Sequence, residues 1–287
     1  MVFTAGVLYS TAGLFTRALP YDAWTILAWR AAFGALFTLG WLIARDGRAA
    51  WRAFAFDAVQ WATLPLIAVA GIFYIFALEI TTVADVMVVY ATVPFMTAAV
   101  AWLWGREVPS TRMLVASFAA LGGIVVMMIG SAGSGHRLAG IGLTLLMNVA
   151  FATILVGARR HPGSTPAQFT VGTLINALVA FVLAPAEPVS AGGIGMMALF
   201  GVLTIGLAMA LFMAGARLIP PAEVGLIGIV DVVIGPLLVW IAFGEDPGLA
   251  AELGGSVVLA ALVWHLWPEV RSAGRSRRKA EFVGPEG

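Results

Sequence analysis

The sequence predicts an all-α integral membrane protein, with ten transmembrane helices arranged as two inverted five-helix repeats. Three observations predict it. Apolar residues make up 61% of the 287 and charged residues only 11%, against about 25% charged in an ordinary soluble domain. Apolar runs long enough to cross a bilayer recur down the chain. The cationic residues then fall almost wholly on one side of the membrane that those runs define.

A spanning helix needs roughly 20 apolar residues. Such runs lie at 2–19, 22–44, 57–78, 82–104, 109–130, 138–158, 164–184, 193–215, 221–243 and 247–267. The first starts at Val2 with no basic leader, and reads as a retained helix rather than a cleaved signal peptide. The others are separated by turn and charge chemistry: Arg17 to Asp22, Arg45 to Asp57, Gly105 to Pro109, Ser131 to Arg137, Arg159 to Pro166, Pro185 to Gly193, Arg217 to Pro221 and Gly244 to Gly248. The break from Glu79 to Thr82 is the weakest of them.

Ten spans put both termini on one side. That side holds Arg45, Arg48, Arg52, Arg106, Arg112, Arg159, Arg160, Arg217, Arg271, Arg275, Arg277, Arg278 and Lys279; the opposite loops hold only Arg17 and Arg137. Positive charge accumulates on cytoplasmic loops, so both termini are expected in the cytoplasm of an inner membrane. Nine or eleven spans would scramble this asymmetry. Nine of the ten tryptophans, all but Trp29, fall near helix ends or loops, as in an interfacial aromatic belt.

Sliding the chain on itself by 138 residues superposes its fourth and fifth spans on its ninth and tenth. Ala84 meets Ala222, Val86 meets Val224, Trp102 meets Trp240, Glu107 meets Glu245, Pro109 meets Pro247, and Asp85 meets Glu223. Five spans per copy is odd, so the second copy must enter the membrane from the opposite face. Inverted pairs with a substrate site at the midplane are a recurring transporter design. The expected units are 1–132, 133–267 and a basic cytoplasmic tail at 268–287.

Two stretches carry a family likeness. Ala77-Leu78 … Thr82-Val83-Ala84-Asp85 … Pro94 … Trp102-Leu103-Trp104-Gly105-Arg106-Glu107 resembles the EamA module of the drug/metabolite transporter superfamily. So does Gly201 … Ala214-Gly215-Ala216-Arg217-Leu218-Ile219-Pro220-Pro221-Ala222 … Asp231 … Gly244-Glu245. Pro94 stands thirteen residues before Glu107, as the family proline does before its glutamate. In the second copy that position is Val232, and a proline follows one turn later at Pro236. The acidic residue before the family proline is matched by Asp231 in the second copy but by Val93 in the first.

The resemblance implies a carrier of amino acids, other metabolites or drug-like amphiphiles, without a cofactor. The expected function is secondary transport by alternating access. The deep aromatic residues favour export of aromatic and related amino acids, as in carriers of the YddG type. The competing readings are a carrier of sugars or nucleotide-linked metabolites, a membrane enzyme, and a partner-binding membrane protein. The expected partners are a small-molecule substrate and the lipid bilayer, with no nucleic acid. A monomer is expected, with a dimer left open.

Ionisable groups inside a bilayer are costly and each needs a reason. Arg30 and Asp231 reach similar depth from opposite faces. They form either one buried pair, or two separate contacts for the carboxylate and ammonium of a zwitterion. Asp85, Glu79 and Glu223 lie near helix ends, where solvation is the simpler account. Asn148 and Asn176, the only asparagines, reach mid-span and serve either helix–helix hydrogen bonding or substrate. Tyr9, Ser10, Thr11 and Tyr90 lie at comparable depth. With Trp29, Phe73, Tyr74 and Phe151 they are candidate pocket walls, packing being the competing use. Pro94 and Pro236 interrupt backbone hydrogen bonding and are candidate hinges or fixed kinks.

Other chemistries lack their parts. The only lysine is Lys279, so a phosphate-binding Walker lysine is missing from the body of the chain. There is no cysteine, and His136, His161 and His265 have no helical spacing for zinc. No Gly-x-Ser-x-Gly elbow is present. No catalytic residue and no metal site are expected.

Overall fold

Apolar side chains without regular period leave a lipid-embedded backbone one economical choice, because every N–H and C=O must be satisfied within the segment. The computed structural model describes residues 1–130, 135–158, 165–216, 218 and 221–282, with the side chains of 105, 216, 221–229 and 269–282 set aside. Helix dominates. In order these are α1 (Val2–Ser10), α2 (Ala12–Ala18), α3 (Ala23–Asp46), a 3₁₀ segment (Gly47–Phe54), α4 (Ala58–Ile80), α5 (Val83–Tyr90), α6 (Val93–Gly105), α7 (Thr111–Gly130) and α8 (Gly135–Ala158). They continue with α9 (Thr165–Leu183), α10 (Ala191–Gly201), a π segment (Val202–Leu207), α11 (Ala208–Ala216), α12 (Pro221–Phe243) and α13 (Leu249–Phe282).

Among the described residues seven helices are long and apolar enough to cross a membrane, and eight if α5 and α6 count as one span bent by 41°. The other two expected spans coincide with α1–α2, broken at Thr11, and with α12, whose stretch Val230–Phe243 is apolar. The expected break between Glu79 and Thr82 is present. Thr82 caps α5 by accepting from the Asp85 N–H. Asp57 and Gln60 form a reciprocal capping box that starts α4.

Two features depart from the sequence reading. Pro94 sits in the first turn of α6 rather than within a continuous helix, and the chain bends before it, at Ala91 and Thr92. Pro236, by contrast, lies inside α12, which runs on through it. The last helix continues to Phe282 instead of ending near 267. The expected turns from Ser131 to Arg137, Arg159 to Pro166 and Arg217 to Pro221 fall largely outside the described residues, as do the side chains of Glu223 and of most of the basic tail.

Packing joins distant parts of the chain. α3 lies on α9, α10 and the π segment; α4 on α8 and α9; α7 on α13; α1 on α11 and α12; and α5 on α8, α12 and α13. Tyr74 borders three of the four core clusters, which makes its surroundings the crossing point of the bundle.

Candidate functional site

Arg30 of α3 is 7% exposed and Asp231 of α12 is 8% exposed. The fold does not pair them: the ion pairs among the described residues are Arg17–Glu245, Arg45–Asp46 and Arg137–Asp85. Depth along a helix was readable from sequence, but the direction each side chain takes around its helix was not. Of the two arrangements the sequence left open, the buried pair is the one the structure does not show.

Each charge is instead held by something other than an opposite charge. The Arg30 guanidinium lies 4.5 Å from the centre of the Phe200 ring and 5.6 Å from that of Tyr74. Aromatic faces attract a cation without neutralising it. Phe200 gets there because the next residue is glycine: a Cβ on Gly201 would stand 2.1 Å from the Arg30 carbonyl oxygen, so α10 can press against α3 only without one. The buried Nε of Arg30 has no hydrogen-bond partner. On α12 the Oδ1 of Asp231 is likewise buried and unpartnered. Its neighbour is Ser10 of α1, whose hydroxyl donates to the Gly6 carbonyl at 2.8 Å.

Three of the four tyrosines gather between these charges. Tyr9, Tyr74 and Tyr90 each lie within electrostatic reach of Asp231, and Tyr9 and Tyr74 also of Arg30. All three are only partly buried although they sit among core residues, so open space borders them. A buried donor and a buried acceptor left unmade each cost about 1–3 kcal/mol. Such a group calls for a partner from outside the chain, a water or a ligand.

The remaining candidates take several places. Phe73 packs with Tyr74 and Tyr90 around Ala70, Met147 and Ala150. Phe151 touches Tyr90 and Phe169, both with ring centres 6.3 Å away. Asn148, fully buried, donates to the Val89 carbonyl at 2.7 Å and to Thr92 Oγ1 at 3.2 Å. It thereby staples the bend between α5 and α6 to α8, and its Oδ1 stays unpartnered. Asn176 of α9 sits against Gly71 of α4, where a Cβ would meet its Nδ2 at 2.0 Å; its Oδ1 is also unpartnered.

Thr11 donates to the Leu8 carbonyl at 2.6 Å, within its own helical turn, at the break between α1 and α2. Trp29, next to Arg30 in sequence, points elsewhere: it stacks on Phe33 at 5.9 Å and meets Phe181 edge-on at 5.2 Å. Asp85 is not a solvated helix end. It is fully buried and takes a forked contact from Arg137, 2.5 Å to Nε and 2.8 Å to Nη2. Glu79 is exposed, as expected. Among the described residues no three His, Asp or Glu side chains come together as metal ligands.

Phe200 had no signal in the sequence, being one apolar residue in an apolar helix. Only the Phe-Gly step hinted at a close approach. The Arg17–Glu245 and Arg137–Asp85 contacts join residues far apart in the chain, and spacing alone did not connect them.

Comparison with known proteins supplies an independent line. The model of the EamA-like transporter family matches residues 1–129. The comparison with curated proteins found no match. A solved structure titled "Crystal structure of protein" aligns with 96% of this chain and 96% of its own, at a TM-score of 0.62 and 18% identity. That likeness shows a shared fold and nothing about substrate.

Proposed function

We propose, from the match of residues 1–129 to the EamA-like transporter family, that the chain is a secondary transporter exporting aromatic and related amino acids, or similar amphiphiles, by alternating access. The observation that carries this reading is the pair of buried, unpartnered groups of opposite charge, Arg30 Nε and Asp231 Oδ1, with tyrosines between them. A zwitterion offers the complement: its carboxylate to Arg30, its ammonium to Asp231, and a flat side chain to Tyr9, Tyr74, Tyr90 and Phe200. Phe73, Phe151, Asn148 and Asn176 border this space, with the hinge role assigned to the bend at Pro94.

The proposed frame is ten spans in two inverted repeats, with both termini in the cytoplasm of the inner membrane. Packing supports it. α1 meets α12 as α8 meets α5 and α6, and α7 meets α13 across the molecule. The 138-residue offset also carries Ser10 onto Asn148. Ser10 faces Asp231, and Asn148 faces Thr92, next to the position equivalent to Asp231.

Reconstitution into liposomes tests the function. Zwitterionic aromatic amino acids should cross, while the corresponding amines and acids, each lacking one charge, should compete weakly. Flux of sugar phosphates instead would replace this reading, although Arg30 is the one deep cation available to them among the described residues. For orientation, a cytoplasm-only reporter should work after Arg52 or Gly287 and stay silent after Glu187.

A further inference from the structure

The two cations that break the charge asymmetry, Arg17 and Arg137, are both spent on one network at the face away from the termini. Arg17 Nε donates to Glu245 Oε2 at 2.6 Å, Nη1 to the Leu78 carbonyl, and Nη2 to the Thr81 carbonyl at 2.7 Å. The other Glu245 oxygen accepts from the Val83 N–H at 2.7 Å, at the first residue of α5. One ion pair thus ties the ends of α2, α4, α5 and α12. Beside it Arg137 grips Asp85, and its Nη2 also donates to the Pro247 carbonyl at 3.0 Å. Asp85 Oδ2 takes a further bond from Thr81 at 2.8 Å.

Below this network the same helix closes a dry seal. A Cβ on Gly13 would lie 2.9 Å from the methyls of Val83 and 3.0 Å from that of Val239; both valines are buried. Ser10, beside Asp231, is the next turn down. At 1.5 Å per residue, Ser10, Gly13 and Arg17 stand about 5 Å apart in depth. Site, seal and ion pair therefore lie in sequence along α1–α2.

We infer that Arg17 and Glu245 form the latch of the outer gate, the contact that must part for the site to open on the face away from the termini, while Arg137–Asp85 is the fixed anchor beside it. The division follows from solvation. Arg17 and Glu245 keep 22% and 19% of their side-chain surface exposed, so water can take over their bonds. Asp85 has no exposure and would leave a bare buried charge. The inference rests on the transport reading for its purpose, and on the proposed orientation for the word outer.

The cysteine-free chain permits a direct test. Leu14→Cys places one thiol between latch and seal, to be alkylated by a membrane-impermeant maleimide added to either face of oriented vesicles. Labelling from the face away from the termini should be slow in this parent. It should rise about tenfold or more with Arg17→Gln, and with Glu245→Gln, which keeps an acceptor for the Val83 N–H. Labelling from the termini side should fall in step.

Unchanged labelling in both variants overturns the latch, and so does an equal rise from both faces, which would mean general loosening. The readout needs no substrate. A parent that carries no amino acid yet shows the one-sided response would sink the transport reading and leave the latch standing.

Discussion

The mouth of the bundle lined by Arg17 and Arg137 and the middle of the bundle treat charge in opposite ways. At the mouth, Arg17, Glu245, Arg137 and Asp85 are each bonded to an opposite charge, and the arginines also to backbone carbonyls. In the middle, Arg30 has aromatic faces but no anion, and Asp231 has a serine but no cation. Both regions are built from the same few residue types, carried at the mouth by α2, α5 and α8 and in the middle by α3 and α12. Paired charges cement a structure; unpaired ones are kept at a cost to stability and so report a task. The two regions should consequently answer differently to removal of a charge.

The largest effect is expected at the mouth. Arg137→Gln leaves Asp85, which has no exposed surface, without its cation, a change worth about 3 kcal/mol or more in comparable pairs. The variant should melt well below the parent in detergent or fail to accumulate. If it melts with the parent, the mouth is not cemented by this pair and the contrast collapses.

Arg30→Gln comes next and should show the reverse pattern. Losing a charge that binds an oppositely charged partner in a buried site costs about 2 kcal/mol or more, which is about thirtyfold in substrate affinity. Thermal stability should stay level or rise, since no ion pair is broken. Asp231→Asn should behave alike toward the ammonium. A sharp loss of stability in either would show that these groups cement the bundle after all. For coupling, the wild-type protein should equilibrate substrate without accumulating it on a proton gradient, Asp231 being the one buried aspartate not held by an arginine among the described residues. Robust accumulation that Asp231→Asn abolishes, with exchange retained, would make Asp231 the coupling site.

Gly71→Ala probes the wall of the site at smaller scale. Its new methyl would meet Asn176 Nδ2 at 2.0 Å, and overpacking of this kind costs about 1–3 kcal/mol. The amide should be pushed aside, lowering melting temperature modestly. Unchanged stability would show that Asn176 swings freely and is available to substrate.

How much of this was legible depends on the length scale of the signal. Hydropathy averages over a whole span, so the long helices fell within a few residues of their expected positions. It is blind to one-turn events, which is why the break at Thr11 and the π segment at Val202–Leu207 were not foreseen, and why the bend at Ala91–Thr92 was signalled only by Pro94. Residue type singled out Arg30 and Asp231, because charge in lipid is conspicuous. It could not say whether they meet, since that depends on how α3 and α12 are rotated. Asp85 was misjudged for a related reason: its depth said helix end, while its burial is made by Arg137, 52 positions away.

Trp29 supplies the smallest and most discriminating prediction. It is adjacent to Arg30 and as aromatic as any wall residue, so sequence alone placed it in the pocket. Successive residues on a helix point about 100° apart, and the Trp29 ring turns toward Phe33 and Phe181, the latter exposed on α9. Trp29→Leu removes two aromatic contacts worth about 0.5–1.5 kcal/mol each at most, on a face where lipid or the leucine can refill part of the space. Melting should drop slightly and substrate affinity should stay within about twofold of the parent, far from the thirtyfold expected at Arg30. An Arg30-sized loss at Trp29 would extend the pocket around α3. It would also mean that the cation's aromatic support by Phe200 and Tyr74 is a resting arrangement, exchanged when substrate enters.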